Sequence, residues 1–436
     1  MFPARDQLLA YVTECGRRYW RSGEENLIRL PITNLPWPQS SPLTYCEVRL
    51  PEWASDLGVN GSLLAPQHCF DRSLNHGEVG YAFVDWWQAV FLMVTCWDEY
   101  VWERKAGPVH SYSLRLKGFD SRIWDRAWVN RAFLFLRRWA ARNCGKNEEQ
   151  LFGELPRAEI KITHDLDAIG KSLALRVKAG AFHSFNSVRY FLGGDFATAR
   201  RKLKEVVVFP FTKGDYWCFP LLEKMEADRQ VKSHYYIFSG TRTVRGMFER
   251  LVFDPAYTIA ANGRLISTLR RLNEQGHTIG LHQSFRAWHD PGLMSEERKQ
   301  LEESLQFPVA TCRQHWLRFS WAETWLAQSV AGLKIDSTLG FNDRSGFRNS
   351  AALSIRPWFY GQQRRHDIES LPLILMDSQL YDYQTMDTET RHRRMEGLID
   401  EVKQVRGTAT VLWHQHVLSS DYGWKEGFEH LLRVIP

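Results

Sequence analysis

The sequence has few features of a secreted or membrane-spanning protein. Its seven cysteines, among 436 residues, stand singly with no Cys-x-x-Cys pair, which indicates reduced thiols rather than a disulfide framework. An apolar stretch over residues 85–100 has helical length but is too short to cross a bilayer and ends in Asp98 and Glu99. The first seven residues lack the apolar core of a signal peptide. We therefore expect a cytoplasmic protein with no membrane span.

Motifs of nucleic-acid binding are missing as well. The sequence contains no zinc-finger, helix-turn-helix or RNA-binding motif. Its net charge of +6, from 56 basic and 50 acidic residues, is modest and compatible with an anionic glycan or a nucleotide-linked sugar. The basic stretches 200–204 and 391–394 are interpreted as solvated helix faces. No nucleic-acid partner is expected.

The most informative segment is residues 161–170, where a short β-branched run ends in two carboxylates, Asp165 and Asp167. Side chains two apart on a strand point to the same face, so the two carboxylates should emerge together at the end of the strand. Two carboxylates that close repel each other unless a cation or a shared proton relieves them. A metal ligand beside a general base would explain the pair; an Asx-rich turn after a strand is the alternative.

Three later segments strengthen the catalytic interpretation. Residues 276–285 form a short apolar strand that delivers His282, residues 312–316 contain Arg313, and a strand ending in Leu412-Trp413 is followed by His414. In type, order and spacing, the four segments resemble the motifs of the polysaccharide deacetylase superfamily (NodB-like, carbohydrate esterase 4). The resemblance covers about residues 156–436, and the chain would be a divergent member.

The resemblance implies a role for each matching residue. Asp165 resembles the general base that activates the attacking water, and Arg313 would orient that base through a charge-assisted hydrogen bond. Asp167 and His282 resemble ligands of one divalent metal ion, for which zinc is expected. His414 resembles the general acid that protonates the departing amine. The implied fold is of the α/β class, a distorted seven-stranded (β/α) barrel.

The chain departs from the family pattern at two positions. Arg286 stands where a second histidine ligand is usual, and a guanidinium, which stays protonated, cannot bind a metal. We predict that His289, three residues further on, supplies the third ligand, with His164 and His416 as alternative candidates that are more typical of structural histidines. His315 replaces the usual proline of the arginine motif.

The strand pattern is compatible with the implied barrel. Seven apolar, β-rich runs are predicted as strands, at residues 159–164, 234–238, 278–282, 309–313, 333–336, 371–377 and 409–414. Charged, helix-like segments such as 263–275 and 295–305 separate most of them, which favours parallel βαβ units. Periodicity alone would equally allow a doubly wound open sheet.

Polar residues near the predicted strand ends suggest a substrate-binding lip, because loops at this face of a barrel usually carry function. The residues predicted to contact substrate are Trp316, Asp336, Arg348 and Asp377. Turn formation is the alternative for the loop that Asp336 opens. Asp377 could instead cap a helix or hold the tautomer of His414.

Residues 1–150 do not match the barrel pattern and are predicted to form a smaller N-terminal α+β domain, with the polar stretch 143–150 as the linker. Long apolar stretches at 85–100 and 128–141 are predicted to be buried helices. No chemical role is assigned to this domain.

The function predicted for the whole chain is that of a carbohydrate N-deacetylase, which hydrolyses an N-acyl group on a saccharide or sugar precursor with a divalent metal. One alternative is a barrel that has lost its metal and only binds a saccharide, which Arg286 favours. Another is hydrolysis of an amide that is not attached to a sugar.

Overall fold

The computed structural model describes residues 2–30, 35–71, 80–171, 173–240 and 252–436. Its N-terminal part is mainly helical and contains one antiparallel hairpin. In chain order its elements are α1 (Arg5–Cys15), β1 (Tyr45–Arg49), β2 (Ser62–Pro66), α2 (Trp86–Val94), α3 (Trp97–Ala106), α4 (Trp128–Asn143) and α5 (Glu148–Phe152). The predicted smaller α+β region before the barrel is confirmed.

The apolar stretch predicted as one helix is in fact the two helices α2 and α3. Asp85 begins α2 by accepting a hydrogen bond from the backbone N–H of Gln88 at 3.0 Å. Between the helices Cys96 adopts a positive φ of 46°, so the helical path cannot continue through it. Both helices are largely buried.

The remainder of the chain is built around a parallel sheet. Its strands are β3 (Glu159–Asp165), β4 (His234–Ile237), β5 (Thr278–Gln283), β6 (Thr311–Gln314), β7 (Ile335–Asp336), β10 (Glu369–Ser370), β11 (Leu373–Met376) and β12 (Thr408–Leu412), with a small hairpin of β8 (Trp358–Phe359) and β9 (Arg364–Arg365) outside the sheet. The spatial order is β10-β7-β6-β5-β4-β3-β12-β11, and every neighbouring pair is parallel.

One extended segment, residues 369–376, closes this sheet into a barrel. Its first half pairs with β7 and continues with a hydrogen bond from the N–H of Leu371 to the carbonyl of Asp336 at 2.8 Å. Its second half pairs with β12, and the N–H of Thr410 donates to the carbonyl of Pro372 at 2.8 Å. Because β10 and β11 are thus two halves of one strand, the barrel has seven strands and an irregular seam. The predicted distorted seven-stranded barrel is confirmed.

Helices connect the strands and cover the outside of the barrel. They are α6 (Leu173–Leu192), α7 (Phe196–Val208), α8 (Phe219–Ala227), α9 (Gly263–Glu274), α10 (Pro291–Leu305), α11 (Thr324–Val330), α12 (Asp377–Tyr381), α13 (Thr388–Gln404) and α14 (Lys425–Val434). Helix α10 begins four residues before the predicted segment 295–305, because Asp290 caps it by accepting from the N–H of Leu293 and Pro291 occupies the first turn. No helix among the described residues has the length and apolar character needed to cross a bilayer.

Buried ion pairs join the N-terminal part to the barrel. Arg131 of α4 contacts Glu401 of α13 at 2.7 Å, and Glu99 of α3 contacts Arg348 at 2.8 Å. Apolar side chains from both parts form one continuous core. Buried charges without partners are costly, so each pair holds the two parts in one relative position. The domain boundary near residue 150 stays a prediction.

Candidate metal centre and catalytic site

The strands of the barrel bring distant polar residues to one rim. Asp165 is the last residue of β3, and Asp167 follows two residues later. Strand β4 is the neighbour of β3, and β5 and β6 follow it in the sheet. His282 of β5 pairs with Arg313 of β6 in the parallel register. His414 follows the end of β12, the other neighbour of β3. Since all these strands run in the same direction, their carboxyl ends share one rim, where reactive groups of (β/α) barrels collect.

Three potential metal ligands converge at this rim. The Nε2 atom of His282 is 3.3 Å from Oδ1 of Asp167, and Nε2 of His315 is 3.5 Å from the same oxygen. One ligand atom from each of the three residues lies within 4.8 Å of the others. Both Asp167 Oδ1 and His282 Nε2 are buried and have no hydrogen-bond partner among the described residues. Buried polar atoms that face each other without a bond fit a cation between them.

The second nitrogen of each histidine is held by an acceptor. His282 Nδ1 lies 3.0 Å from the carbonyl oxygen of Arg313, and His315 Nδ1 lies 3.2 Å from Oδ1 of Asp254. A carbonyl or carboxylate oxygen can only accept, so Nδ1 carries the proton in both rings and the lone pair of each neutral ring is on Nε2. In the neutral form that metal binding requires, each imidazole would present its Nε2 lone pair to the position beside Asp167.

The electrostatics of Asp167 also favour a cation. Burial alone would raise the pKa of this carboxyl, but His315, His282 and His414 outweigh burial and hold the pKa well below its usual value. The group is therefore an anion surrounded by nitrogen atoms, and its side chain is partly open to the rim. Such a donor set of one carboxylate and two imidazoles is that of a three-ligand catalytic zinc site.

Arg313 fixes the second carboxylate, Asp165. The buried guanidinium donates from Nη1 to Asp165 Oδ1 at 2.9 Å and to Thr163 Oγ1 at 2.7 Å, and from Nε to the carbonyl of Ser337 at 2.9 Å. It also lies over the ring of Tyr236, 4.6 Å from its centroid. With Oδ1 occupied, Asp165 presents Oδ2 toward His282, whose Nε2 is 3.8 Å away. This oxygen can accept a proton at the metal position.

Asp377, the first residue of α12, holds His414 through two hydrogen bonds. Oδ1 of Asp377 lies 2.9 Å from His414 Nδ1, and Oδ2 accepts from the backbone N–H of His414 at 2.6 Å. Nε2 of His414 points toward the site, 3.4 Å from Asp167 Oδ2. Burial would lower the pKa of His414, but Asp377 and Asp167 raise it well above its usual value. Asp377, predicted either to contact substrate or to hold the tautomer of His414, is buried and orients the His414 ring, whose protonated form it stabilises.

The third nitrogen donor beside Asp167 is His315, and the prediction of His289 is corrected. His289 is exposed and packs on Trp288, with 4.2 Å between ring centroids. The chain turns sharply after β6, where Trp316 and Leu317 both have positive φ, 56° and 45°. This unusual backbone directs His315 inward, and such strain is typical of functional sites.

The two alternative ligand candidates lie elsewhere. His164 points away from the rim: its Nδ1 is 2.6 Å from the carbonyl of Trp413 and its Nε2 is 2.8 Å from Glu226. It is a buried structural histidine. His416 packs against Tyr422 at 5.3 Å between centroids, and burial lowers its pKa to about 4. Neither belongs to the group around Asp167.

The predicted substrate lip also needs correction. Asp336 is fully buried and accepts from Trp325 Nε1 at 3.0 Å and Gln328 Nε2 at 2.9 Å, so it stabilises the barrel interior. Arg348 is equally buried in its ion pair with Glu99 and cannot reach a ligand. Asp336 lies at a strand end and Arg348 in the loop that follows it, but burial excludes both from substrate contact. Trp316 is half-buried beside His315, with Nε1 donating to the carbonyl of Phe253 at 3.3 Å, and its substrate contact stays a prediction.

Sequence reasoning missed His315 and Asp254. A signal for His315 existed: a histidine in a motif that normally has proline, in a chain that lacks the usual second histidine ligand. Asp254 had no comparable signal, because it lies 61 residues before His315 and outside every motif. It also accepts from the N–H of Phe285 at 2.7 Å, which ties the loop after β5 to the same carboxylate.

A pocket of about 410 Å³ opens directly beside Asp167. Its walls include Trp217, Tyr257, Lys171 and Arg264, with the Arg264 guanidinium over the Trp217 ring at 4.0 Å from the centroid. Aromatic faces and polar groups together suit a ligand with both apolar faces and hydroxyl edges. The volume is in the range of a small-molecule site.

No protein-family profile matches this chain, and neither does any curated protein sequence. Among solved structures the chain is similar to a polysaccharide deacetylase from Mycobacterium smegmatis, with 15% identity, a TM-score of 0.36 and coverage of 65% of this chain and 85% of that one. It is also similar to a polysaccharide deacetylase involved in O-antigen biosynthesis from Bordetella bronchiseptica (13%, TM-score 0.27, coverage 64% and 81%). A third is a family 4 acetyl xylan esterase from Clostridium thermocellum in complex with cobalt (10%, TM-score 0.25, coverage 63% and 80%). Such distant likeness does not determine the reaction of this chain, which depends on its own side chains.

Proposed function

We propose that this protein is a metal-dependent hydrolase that removes an N-acyl group, an acetyl group above all, from a saccharide or sugar precursor. One observation carries the proposal: Asp167 Oδ1, His282 Nε2 and His315 Nε2 converge without bonding one another, between a held carboxylate and a held histidine. The convergence supplies a cation site, a base and an acid at one rim. Metal-dependent amide hydrolysis uses these three components.

Asp167, His282 and His315 would hold the ion, most simply Zn²⁺. When bound, such an ion lowers the pKa of a coordinated water and polarises the acyl oxygen. Asp165 takes the proton of the attacking water on Oδ2, since Oδ1 is engaged by Arg313. The Arg313 contact also fixes the direction of the Asp165 carboxylate.

His414 acts on the other side of the scissile bond. Its Nε2–H donates a proton to the amine nitrogen as the carbon–nitrogen bond breaks, while Nδ1–H stays bonded to Asp377. An amine leaves poorly unless it is protonated, so the acid is as necessary as the base. The products are a carboxylic acid, which ionises on release, and a free amine; Asp165 then holds the proton taken from water and His414 lacks one, so transfer of that proton from Asp165 to His414 through solvent restores the starting state.

The alternative interpretation, a saccharide-binding protein without metal, depended on Arg286, because this residue left only Asp167 and His282 as predicted ligands. His315 provides a third donor from a different strand, so that reason no longer applies. A binding protein would also have no need for both the Arg313–Asp165 and the Asp377–His414 pairs. The aromatic pocket beside Asp167 favours a sugar over other amides.

The direct test is acetate release from N-acetylated oligosaccharides by protein loaded with zinc. We expect release that stops when the metal is chelated and is absent from the Asp165→Asn variant. Saccharide binding without acetate release by fully metal-loaded protein would overturn the enzymatic proposal and support a binding role.

A further inference from the structure

Helices α6 and α7, with the turn that follows them, expose an unusual amount of apolar surface. Nine of the thirteen large hydrophobic side chains that are exposed in the described part of the chain lie between residues 177 and 211. Leu192 and Phe211 are each 80% exposed. Single exposed hydrophobic residues are ordinary, but a cluster on one element marks an interaction surface. We call residues 173–211 the helical hairpin.

The apolar side chains of the helical hairpin follow helical periodicity. Successive exposed apolar residues are eleven and then four positions apart on α6, and seven and then four positions apart on α7. These spacings place them on one face of each helix. They are Val177, Val188 and Leu192 on α6, and Phe196, Leu203 and Val207 on α7. At the tip, the rings of Phe191 and Phe196 meet at 5.4 Å across the Gly193-Gly194 turn. The two helices pack on each other, and each presents an apolar stripe outward.

The positive charge of the whole chain is concentrated in the same segment. Residues 173–211 contain seven Lys and Arg but only two Asp and Glu. The remainder of the chain has 49 basic and 48 acidic residues, so its net charge is only +1. The side chains of Arg200, Arg201 and Lys204 are exposed beside the apolar stripe of α7. The earlier interpretation of residues 200–204 as only a solvated helix face leaves this concentration unexplained.

We propose that the helical hairpin docks on an anionic lipid bilayer, with its apolar stripe in the headgroup–acyl boundary and its basic residues against lipid phosphates. Helices with an apolar face bordered by Lys and Arg bind such surfaces in this orientation. An anionic bilayer fits better than a protein partner, because each exposed Lys or Arg beside the apolar stripe gains directly from the negative potential of the lipid surface. The docking is peripheral and does not depend on the proposed reaction.

The helical hairpin is directly connected to the candidate catalytic site. Only five residues separate Asp167 from the start of α6, and Leu175 of α6 lines the pocket beside Asp167. A docked hairpin would therefore hold the mouth of that pocket near the lipid surface.

Co-sedimentation of the full-length protein with vesicles tests the proposal. The test vesicles contain phosphatidylcholine with about 30% phosphatidylglycerol, an anionic lipid. We expect the protein to bind these vesicles and to bind vesicles of phosphatidylcholine alone much more weakly. Arg200→Gln with Lys204→Gln should weaken binding roughly 30-fold, because each basic residue near an anionic surface contributes about a fivefold factor. Leu192→Ser with Phe196→Ser should weaken it at least about tenfold through lost apolar burial.

Leu114→Ser with Val330→Ser is the matched control, since both residues are exposed hydrophobics outside the helical hairpin; it should bind as the parent does. Hydrogen exchange of the parent protein provides a test that needs no variant: vesicles should protect peptides from residues 173–211 and no others. Absence of binding to anionic vesicles, or protection elsewhere, would overturn the proposal. So would self-association of the parent that the Leu192→Ser, Phe196→Ser variant abolishes, because the occupant would then be a second copy of the chain.

Discussion

The replacement His315→Ala gives the sharpest test of the candidate metal centre. It removes one of three converging donors and leaves Asp167 and His282 in place, 3.3 Å apart. We expect zinc affinity to fall by more than about 100-fold, because losing merely a hydrogen-bond partner behind a ligand costs 10–100-fold. Competition with a chromogenic chelator would measure the affinity, and elemental analysis the stoichiometry.

Asp254→Asn should weaken zinc binding as well, but less than His315→Ala does. Its carboxylate is bonded to Nδ1 of His315 at 3.2 Å and does not face the metal position. An amide oxygen is a weaker acceptor than a carboxylate, so a loss of about 10–100-fold is expected. The ranking of the two variants is thus part of the prediction.

His289→Ala is the matched control, because it removes the same side chain from an exposed position outside the group. It should leave zinc affinity and thermal stability unchanged. The assignment would be refuted if His289→Ala lost zinc while a folded His315→Ala kept it.

Four other predictions concern three groups of the candidate site and one buried acid elsewhere in the barrel. Asp165→Asn should abolish turnover yet retain zinc; loss of zinc in that variant would mean that the roles of the two aspartates are exchanged. His414→Ala should lower the rate by about 10²–10⁴-fold with zinc retained. Asp377→Asn should move the alkaline limb of the pH–rate profile to lower pH, because Asp377 raises the pKa of His414. An unchanged profile would argue against the Asp377–His414 pair. Burial raises the pKa of Glu297 to about 8, so between about pH 4.5 and 8 the unfolded chain ionises while the folded chain keeps its proton, and stability falls as pH rises. Glu297→Gln should remove this loss, roughly 3 kcal/mol at pH 7 and near zero below pH 4.5; equal denaturation midpoints for both proteins at pH 5 and pH 8 would contradict it.

The strands and half of the site could be predicted from local patterns, whereas the barrel was implied only by the family resemblance, since periodicity equally allowed an open doubly wound sheet. The two-residue spacing of Asp165 and Asp167 on a strand, and the position of Arg313 and His414 at strand ends, depend only on backbone geometry that short segments determine. Parallel strands then bring their carboxyl ends to one rim without further information. For this reason the structure brings these residues together as expected.

From the sequence, a polar residue near a strand end could equally contact a ligand or form a buried structural hydrogen bond, and residue type did not distinguish the two roles. Asp336 and Arg348 have the residue types of a sugar-binding lip, but Trp325, Gln328 and Glu99 satisfy them in the interior. Those partners come from other helices and from the N-terminal part of the chain. Burial is a property of the assembled layers, which no local pattern reports.

The sequence by itself determined the order of the motifs, the two aspartates and the strand on which each polar residue lies. Only the tertiary structure decided that His315, and not His289, faces Asp167. The reason is physical: two consecutive residues with positive φ turn the loop after β6 inward, and Asp254, 61 residues away in the chain, holds the ring with its lone pair toward the site. Contacts between distant segments set the ligand geometry, and they exist only once the barrel has closed.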